Sequence, residues 1–324
     1  MADPRPRRGA IDGVLVVDKP RGPTSHDVVA RLRRLLGERR IGHAGTLDPM
    51  ATGVLVILLG EGTKLAPYLT AADKRYVAQV TFGAATSTLD AEGEVTARAD
   101  VPADLVEEIR TRAPAGRIAA AIREEIARVE QVPPAFSAIQ IDGERSHDLA
   151  REGRAVALSP RPVAVRRCAV VGSASEPPSI ELDVAVSKGY YVRSLARDLG
   201  ERLGVPSHLS QLRRTESGAF TLAEAVALDA GSEAVRAAVQ PIVTAVRRAI
   251  AVAVLTDDGA VRARQGKRLT KADFRDPPPE GAGPFGWLDA SDRLVAIGEA
   301  RAADDGSGSA FVVLRGFSGP AAAG

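Results

Sequence analysis

The sequence predicts a chain that mixes strands and helices in one large body, followed by a small β-rich module near the C-terminus. Three observations carry this. Short apolar runs bounded by Gly or Pro have the length and punctuation of buried strands. Other segments place apolar residues three and four apart, as amphipathic helices do. Near the end, a Pro/Gly stretch from 276 to 286 lies among short strand-like pieces. A length of 324 residues suits one large domain and one small one.

Gly13–Val17 reads as a buried strand stopped by Asp18-Lys19-Pro20. Thr24 or Ser25 caps the next helix, with Asp27 in its first turn and Val28, Val29, Leu32, Leu35 and Leu36 as its apolar stripe; Gly37 ends it. A Gly-rich loop, Ile41–Gly53, leads into a strand at Val54–Leu59, and Tyr76–Phe82 reads as another. Residues 103–130 are rich in Ala, Glu and Arg and predict helix. Asp142-Gly143 predicts a hairpin turn between 138–141 and 144–145. Arg161–Val171 and Ile180–Val186 read as strands. Leu195, Leu199 and Leu203 mark a helix closed by Gly204, and helical character runs from about Leu222 to Ala249. A boundary falls near 249–257. Leu294–Ile297 and Ala310–Leu314 then read as strands of the small module. Residues 1–9, rich in Pro and Arg, and residues 319–324 are expected to be disordered or flexible tails.

Composition excludes several classes. Cys168 stands alone, so there is no internal disulfide and no cysteine-based zinc cluster, and a reducing compartment fits. The four histidines, His26, His43, His147 and His208, include no i, i+4 pair, so the spacing of a helical zinc site is absent. No apolar run approaches the roughly 20 residues that span a bilayer, and no secretory h-region follows the basic start. We therefore expect a soluble, cytoplasmic protein. Gly60-Glu-Gly-Thr-Lys64 echoes a phosphate loop, but the order Thr-Lys and the leading spacing are wrong. Ser25-His26 is not a nucleophile elbow, and no Gly-x-Ser-x-Gly exists to support a hydrolase.

The 43 basic and 41 acidic residues nearly cancel, which argues against a nucleic-acid partner only on average. Residues 1–64 hold eleven basic and seven acidic side chains, and residues 188–214 hold six against two; each segment is +4. Such local excesses suit a phosphate backbone or, for any one arginine, an ordinary solvated helix face. We expect the two segments to meet on one face around Asp48. That residue lies in the most unusual local sequence, Ile41-Gly-His-Ala-Gly-Thr-Leu-Asp-Pro-Met-Ala-Thr-Gly53. It reads either as a carboxylate held rigidly at the edge of a core or as an Asp that satisfies turn amides.

Taken together, these motifs resemble the bacterial tRNA pseudouridine-55 synthases. The resemblance rests on Asp18-Lys-Pro20, Gly42–Gly53, Lys74-Arg-Tyr76, Gln131-Val-Pro-Pro-Ala-Phe-Ser-Ala138, Ser187-Lys-Gly-Tyr-Tyr-Val-Arg-Ser194 and Leu212-Arg-Arg214, in order over roughly residues 11–220. It implies an α+β catalytic domain with the pseudouridine-synthase fold, over 10–249, around a mixed, largely antiparallel sheet. It also implies a PUA-like domain over 250–318. The implied reaction isomerises uridine 55 in the tRNA T loop to pseudouridine, by glycosidic C–N cleavage, base rotation and C–C rejoining. The implied partner is the T arm of tRNA, acted on by a monomer with no obligate protein partner, no membrane, no cofactor and no metal.

The resemblance also assigns roles. A base inside folded RNA must be extruded before chemistry. Asp48 is the nucleophile or proton-transfer group, and the residues do not choose between attack on the sugar and on the base. Tyr76 stacks on the flipped uracil; otherwise it is a strand tyrosine in the core. Arg193 is the partner of Asp48, since an opposite charge within about 4–6 Å favours an ionised carboxylate and fixes its position. His43 takes the space vacated by the nucleotide or contacts RNA. Lys19, Lys64, Lys188, Arg213 and Arg214 meet RNA, and Asp90 touches the T loop.

Two positions depart from the family: Gln140 stands where Lys is common, and His147 where Tyr is common. Fine RNA contacts there are expected to differ. Residues 251–318 carry nine basic and ten acidic side chains, so an RNA role for the small module rests on position, not on charge. A second class of reading is a tRNA-binding or tRNA-folding protein whose catalysis is secondary.

Overall fold

The computed structural model describes residues 11–111, 115–137, 140–141, 144–146, 158–278, 283–302 and 309–318. The two tails, the Asp142-Gly143 turn and His147 lie outside the described residues, as does the side chain of Gln140. The strands on either side of that turn, Gln140–Ile141 and Glu144–Arg145, pair as expected.

A nine-stranded mixed sheet forms the centre of the body. Its order is Val165–Ser175, Pro178–Val186, β4 (Lys74–Phe82), Ser207–Ser217, β3 (Thr52–Leu59), β1 (Gly13–Lys19) and Val226–Ala227. β2 (Ile41–Ala44) attaches to β3, and Phe220–Thr221 to the 207–217 strand. Two pairings are parallel, β3 with 207–217 and β1 with 226–227; the others are antiparallel. This is the mixed, largely antiparallel sheet that the resemblance implies.

The unbroken apolar runs of β1 and β3 follow from burial on both faces. Alternate residues point to opposite sides. Leu15, Val17, Leu55, Ile57 and Leu59 enter one core, and Val14, Val16, Val54, Val56 and Leu58 enter the other. The first core is closed by α1 (Ser25–Leu36) and by helices Ala103–Thr111, Arg117–Ile126 and Val192–Leu203. α1 begins at Thr24 with a capping box to Asp27 and ends at Gly37, whose φ of 68° suits a residue without a Cβ.

Three local expectations change, and one strand is new. The helical 103–130 stretch is two helices, split before Gly116, and ends in a strand at Glu130–Gln131. The run from Leu222 to Ala249 is a 3₁₀ turn, a two-residue strand and helices Ser232–Ala237 and Ile242–Ala249. Gly231 and Pro241 occupy the two helix starts, where they interrupt the run. The 41–53 loop begins as a strand, because Ile41–Ala44 finds a free edge on β3. The long strand Ser207–Ser217 has no clean alternation because bulges interrupt its register with β4 at Leu209/Gln211 and Arg214/Glu216.

Val252–Leu255, Phe274–Asp276, Phe285–Leu288, Leu294–Ala302 and Ser309–Gly316 form a separate five-stranded sheet around Trp287, Phe274 and Phe311. It packs on the second core of the body through Ile297 and Phe317. Lys64 sits at this seam. Its ammonium pairs with Glu61, donates to the Gly316 carbonyl at 2.9 Å and lies 5.4 Å from the Phe317 ring centroid. Lys64, expected at an RNA phosphate, here ties the small sheet to the body.

Gly53, the second residue of β3, has a φ of +101°, and a Cβ there would lie 2.1 Å from the Arg214 carbonyl oxygen. Gly53→Ala is expected to lower unfolding free energy by at least about 2 kcal/mol. Urea denaturation checks this; an unchanged midpoint contradicts it.

Candidate active site

The site is built on a fork in the sheet. Along one edge β3 pairs with β1 over its length. The other edge is divided: 207–217 pairs at Thr52 and Gly53, and β2 pairs at Val56–Leu59. Between these two partners the edge is open, and the loop from Gly45 to Ala51 leaves there. Arg214, 1% exposed, fills the opening. Its Nε donates to the Val54 carbonyl at 2.7 Å, Nη2 to Gly45 at 3.0 Å and Nη1 to Thr46 at 3.4 Å. One planar fork thus satisfies three carbonyls that no strand reaches.

The rest of the loop is held from below. Leu47, Met50 and Ala51 are buried in the first core. Lys19, fully buried, donates from Nζ to the carbonyls of Ala51 at 2.7 Å, Pro20 at 3.0 Å and Pro49 at 3.2 Å. Burial lowers its pKa to about 8, against opposing pulls from Glu92 and Asp48. The Asp48 carbonyl accepts from Ala51 N, closing a tight turn. With its neighbours anchored, the Asp48 side chain stands out, 36% exposed.

Arg193 meets it. This residue lies in the first turn of helix Val192–Leu203, and its side chain is only 8% exposed. Nε reaches Asp48 Oδ2 at 2.9 Å and Nη2 reaches Oδ1 at 3.4 Å. Nη2 also donates to the Phe136 carbonyl at 2.8 Å and Nη1 to the Thr88 carbonyl at 3.2 Å. Asp90 Oδ2 lies 3.8 Å from Nε. Asp90 is itself fixed by the Thr88 hydroxyl at 2.5 Å and by Glu92 N at 3.0 Å. A cation at a helix N-terminus opposes the helix dipole, and these two carboxylates offset that cost. The arrangement is a buried, multiply anchored guanidinium presenting one carboxylate that is about one-third exposed.

Tyr76 is the third residue of β4, opposite Arg214 on one side and Val184 on the other, and is partly buried against the first core. His43 is half-buried on β2, edge-on to His26 with ring centroids 5.5 Å apart, and its buried Nδ1 has no partner among the described residues. Burial chiefly, with His26 and Arg214 nearby, lowers its pKa and favours the neutral ring. Lys188 is exposed in the turn before the Arg193 helix.

Four expected RNA contacts sit differently. Lys19 and Arg214, at most 1% exposed, offer a phosphate almost no surface; they hold the loop. Asp90, 4% exposed, faces Arg193 rather than solvent. Arg213 is half-exposed, but its fork is closed on Asp18 at 2.7 and 3.1 Å. From the two +4 segments, Lys19 and Arg214 hold the Asp48 loop and Arg193 meets Asp48 itself, and these charges are internal wiring rather than a free basic face. Sequence reading missed these roles because a buried Lys or Arg looks the same in sequence as an exposed one. It also missed the brackets that Ser25 and Gln131 make beside the pair.

Comparison with known proteins places this geometry. A family model described as TruB family pseudouridylate synthase (N terminal domain) matches residues 33–192, and one described as tRNA pseudouridylate synthase B C-terminal domain matches residues 193–250. The chain belongs to the TruB family of pseudouridine synthases. A protein named tRNA pseudouridine synthase B from Thermobifida fusca (strain YX) is 42% identical, over 94% of this chain and 99% of its own. One of the same name from Corynebacterium aurimucosum is 43% identical, over 92% and 94%. A chain from the crystal structure of a Cbf5-Nop10-Gar1 complex is similar with a TM-score of 0.70 at 26% identity, covering 94% of this chain and 84% of that one. Another, from an H/ACA RNP bound to a substrate RNA containing 2'-deoxyuridine, gives 0.69 at 25%, over 95% and 86%. The two TruB family models meet between Val192 and Arg193, inside one helix, so the match boundary is not a break in the fold. Among the described residues no helix is long and apolar enough to cross a membrane.

The Lys19 environment sets a pH dependence. Its folded pKa, about 8, lies below the ordinary lysine value of 10.5. Between these the unfolded chain binds the extra proton, so the Lys19 contribution to stability rises with pH. The stability of wild type relative to Lys19→Met is expected to increase across that interval; a difference independent of pH contradicts the assignment.

Proposed function

We propose that this chain isomerises uridine 55 in the T loop of tRNA to pseudouridine. Family membership and the shared name of its relatives support the reaction class. The observation that carries the reading is the Asp48 carboxylate, one-third exposed and aimed by a buried arginine.

Asp48 initiates the reaction on a uridine flipped out of the T loop. Arg193 fixes the direction of the carboxylate, which is most of what positioning contributes to such a step. Tyr76, on the rigid central strand beside the loop, supplies the ring on which the uracil stacks. The glycosidic C–N bond breaks, the base rotates, and a C–C bond replaces it. The proton on the ring carbon leaves as the C–C bond forms and the freed ring nitrogen gains one, so the net change lies within one nucleotide and needs no co-reactant. His43, next to the loop, takes the space of the displaced nucleotide, and Lys188 meets a phosphate. We assign 10–249 as the catalytic domain and 250–318 as a PUA-like domain. The chain acts in the cytoplasm as a monomer, with no obligate protein partner.

The test uses the purified chain alone with an unmodified tRNA transcript and chemical mapping of pseudouridine. Wild type is expected to modify position 55. Asp48→Asn is expected to lose turnover while binding tRNA within about 3-fold of wild type, since the lost group acts in the transition state. A folded wild type that forms no pseudouridine overturns the function, and an active Asp48→Asn overturns the site.

A further inference from the structure

Both members of the Asp48–Arg193 pair follow a residue whose backbone is bracketed by one buried side chain. On the Asp48 side the bracket is Ser25, 1% exposed at the start of α1. Its hydroxyl accepts from Leu47 N at 2.9 Å and donates to Leu47 O at 3.1 Å. Leu47 is the residue before Asp48. On the Arg193 side the bracket is Gln131, 2% exposed. Its Oε1 accepts from Tyr191 N at 2.8 Å and its Nε2 donates to Tyr191 O at 3.1 Å. Tyr191 is the N-cap of the helix and lies two residues before Arg193.

The two brackets have the same logic. A single side chain that satisfies both the N–H and the C=O of one residue fixes that peptide against rotation and translation, as a strand partner does at one residue of a ladder. Neither Leu47 nor Tyr191 lies in a strand, so no ladder does this for them. Gln131 is itself held: its backbone pairs with Arg161 in a two-residue ladder. The segment that follows it lies along the helix start. The Ser194 hydroxyl donates to the Val132 carbonyl at 3.0 Å, and Arg193 donates to the Phe136 carbonyl at 2.8 Å. The same stretch of chain therefore sets the helix start and gives Arg193 one of its acceptors.

We infer that Ser25 and Gln131 are positioning residues for the reaction, each locking the backbone beside one member of the Asp48–Arg193 pair. The inference rests on the proposed pseudouridine synthesis. Neither side chain reaches the Asp48 carboxylate, and both are too buried to meet RNA. Their effect is on the direction of that carboxylate, where misplacement of about 1 Å can cost on the order of 100-fold in rate.

The experiment compares wild type, Ser25→Ala, Gln131→Met and the double variant in single-turnover reactions with saturating unmodified tRNA. Binding affinity and thermal midpoint are measured alongside. Gln131→Met keeps the side-chain volume and removes both hydrogen bonds, so packing and bracketing separate. Each single variant is expected to slow the chemical step about 10- to 100-fold, with tRNA affinity within about 3-fold of wild type. The double variant is expected to lose less than the product of the two, because freeing either end already frees the pair. Ser25→Thr, which keeps the hydroxyl, is expected to recover most of the rate lost in Ser25→Ala. Rates that stay within about 2-fold of wild type, or fall only with the folded fraction, overturn the inference. So does a loss confined to tRNA affinity. A wild type that forms no pseudouridine is a different outcome: it defeats the proposed function, whatever the variants do.

Discussion

An arginine side chain in a nearly dry site has to be satisfied at every donor, because removing a charge from water costs several kcal/mol, on the order of what a domain has to spare. Arg193 draws on two carboxylates and two backbone carbonyls from three separate parts of the chain: Asp48 after β2, Thr88 and Asp90 after β4, and Phe136 after the short strand at Glu130–Gln131. No local segment could assemble that set. The guanidinium thus acts as the point at which three loops agree on their positions, and the Asp48 carboxylate is one of the groups it positions.

The same economy explains how a protein of nearly neutral total charge can surround an acid with cations. Lys19 and Arg214 lie under the Asp48 turn, but their charges face backbone carbonyls, not solvent. Lys74 is another buried cation of this region. It donates to the carbonyls of Thr70 and Ala72, and burial lowers its pKa to about 8. A loop that leaves a sheet edge to expose one side chain, as the Asp48 loop does, cannot borrow rigidity from a sheet ladder. Buried lysine and arginine donors, together with the apolar anchors Leu47 and Met50, supply that rigidity from beneath.

Much of the fold was legible where local chemistry and tertiary context agree. Gly37 and the capping box at Thr24 fix α1 by rules that need no neighbours. The apolar runs of β1 and β3 announce strands buried on both faces. The 207–217 strand was opaque because its bulges scramble the alternation, and the 222–249 run was misjudged because helix propensity says nothing of an edge pairing between Val226 and Val17. At the site, motif order singled out Asp48, Tyr76 and Arg193, and the structure brings Asp48 and Arg193 into contact. The nature of Lys19, Lys64, Asp90 and Arg214 was hidden, since burial is a property of the fold and not of the residue type.

If the account is right, charge alone at position 193 is not enough; the planar fork is needed to face Asp48 while bonding the carbonyls of Thr88 and Phe136. The most direct measurement is the single-turnover rate of Arg193→Lys with unmodified tRNA, alongside its tRNA affinity. The expected result is a loss of about 100-fold or more in rate with affinity within about 3-fold of wild type. A lysine variant that isomerises uridine at close to the wild-type rate would contradict the claim that this arginine organises the site.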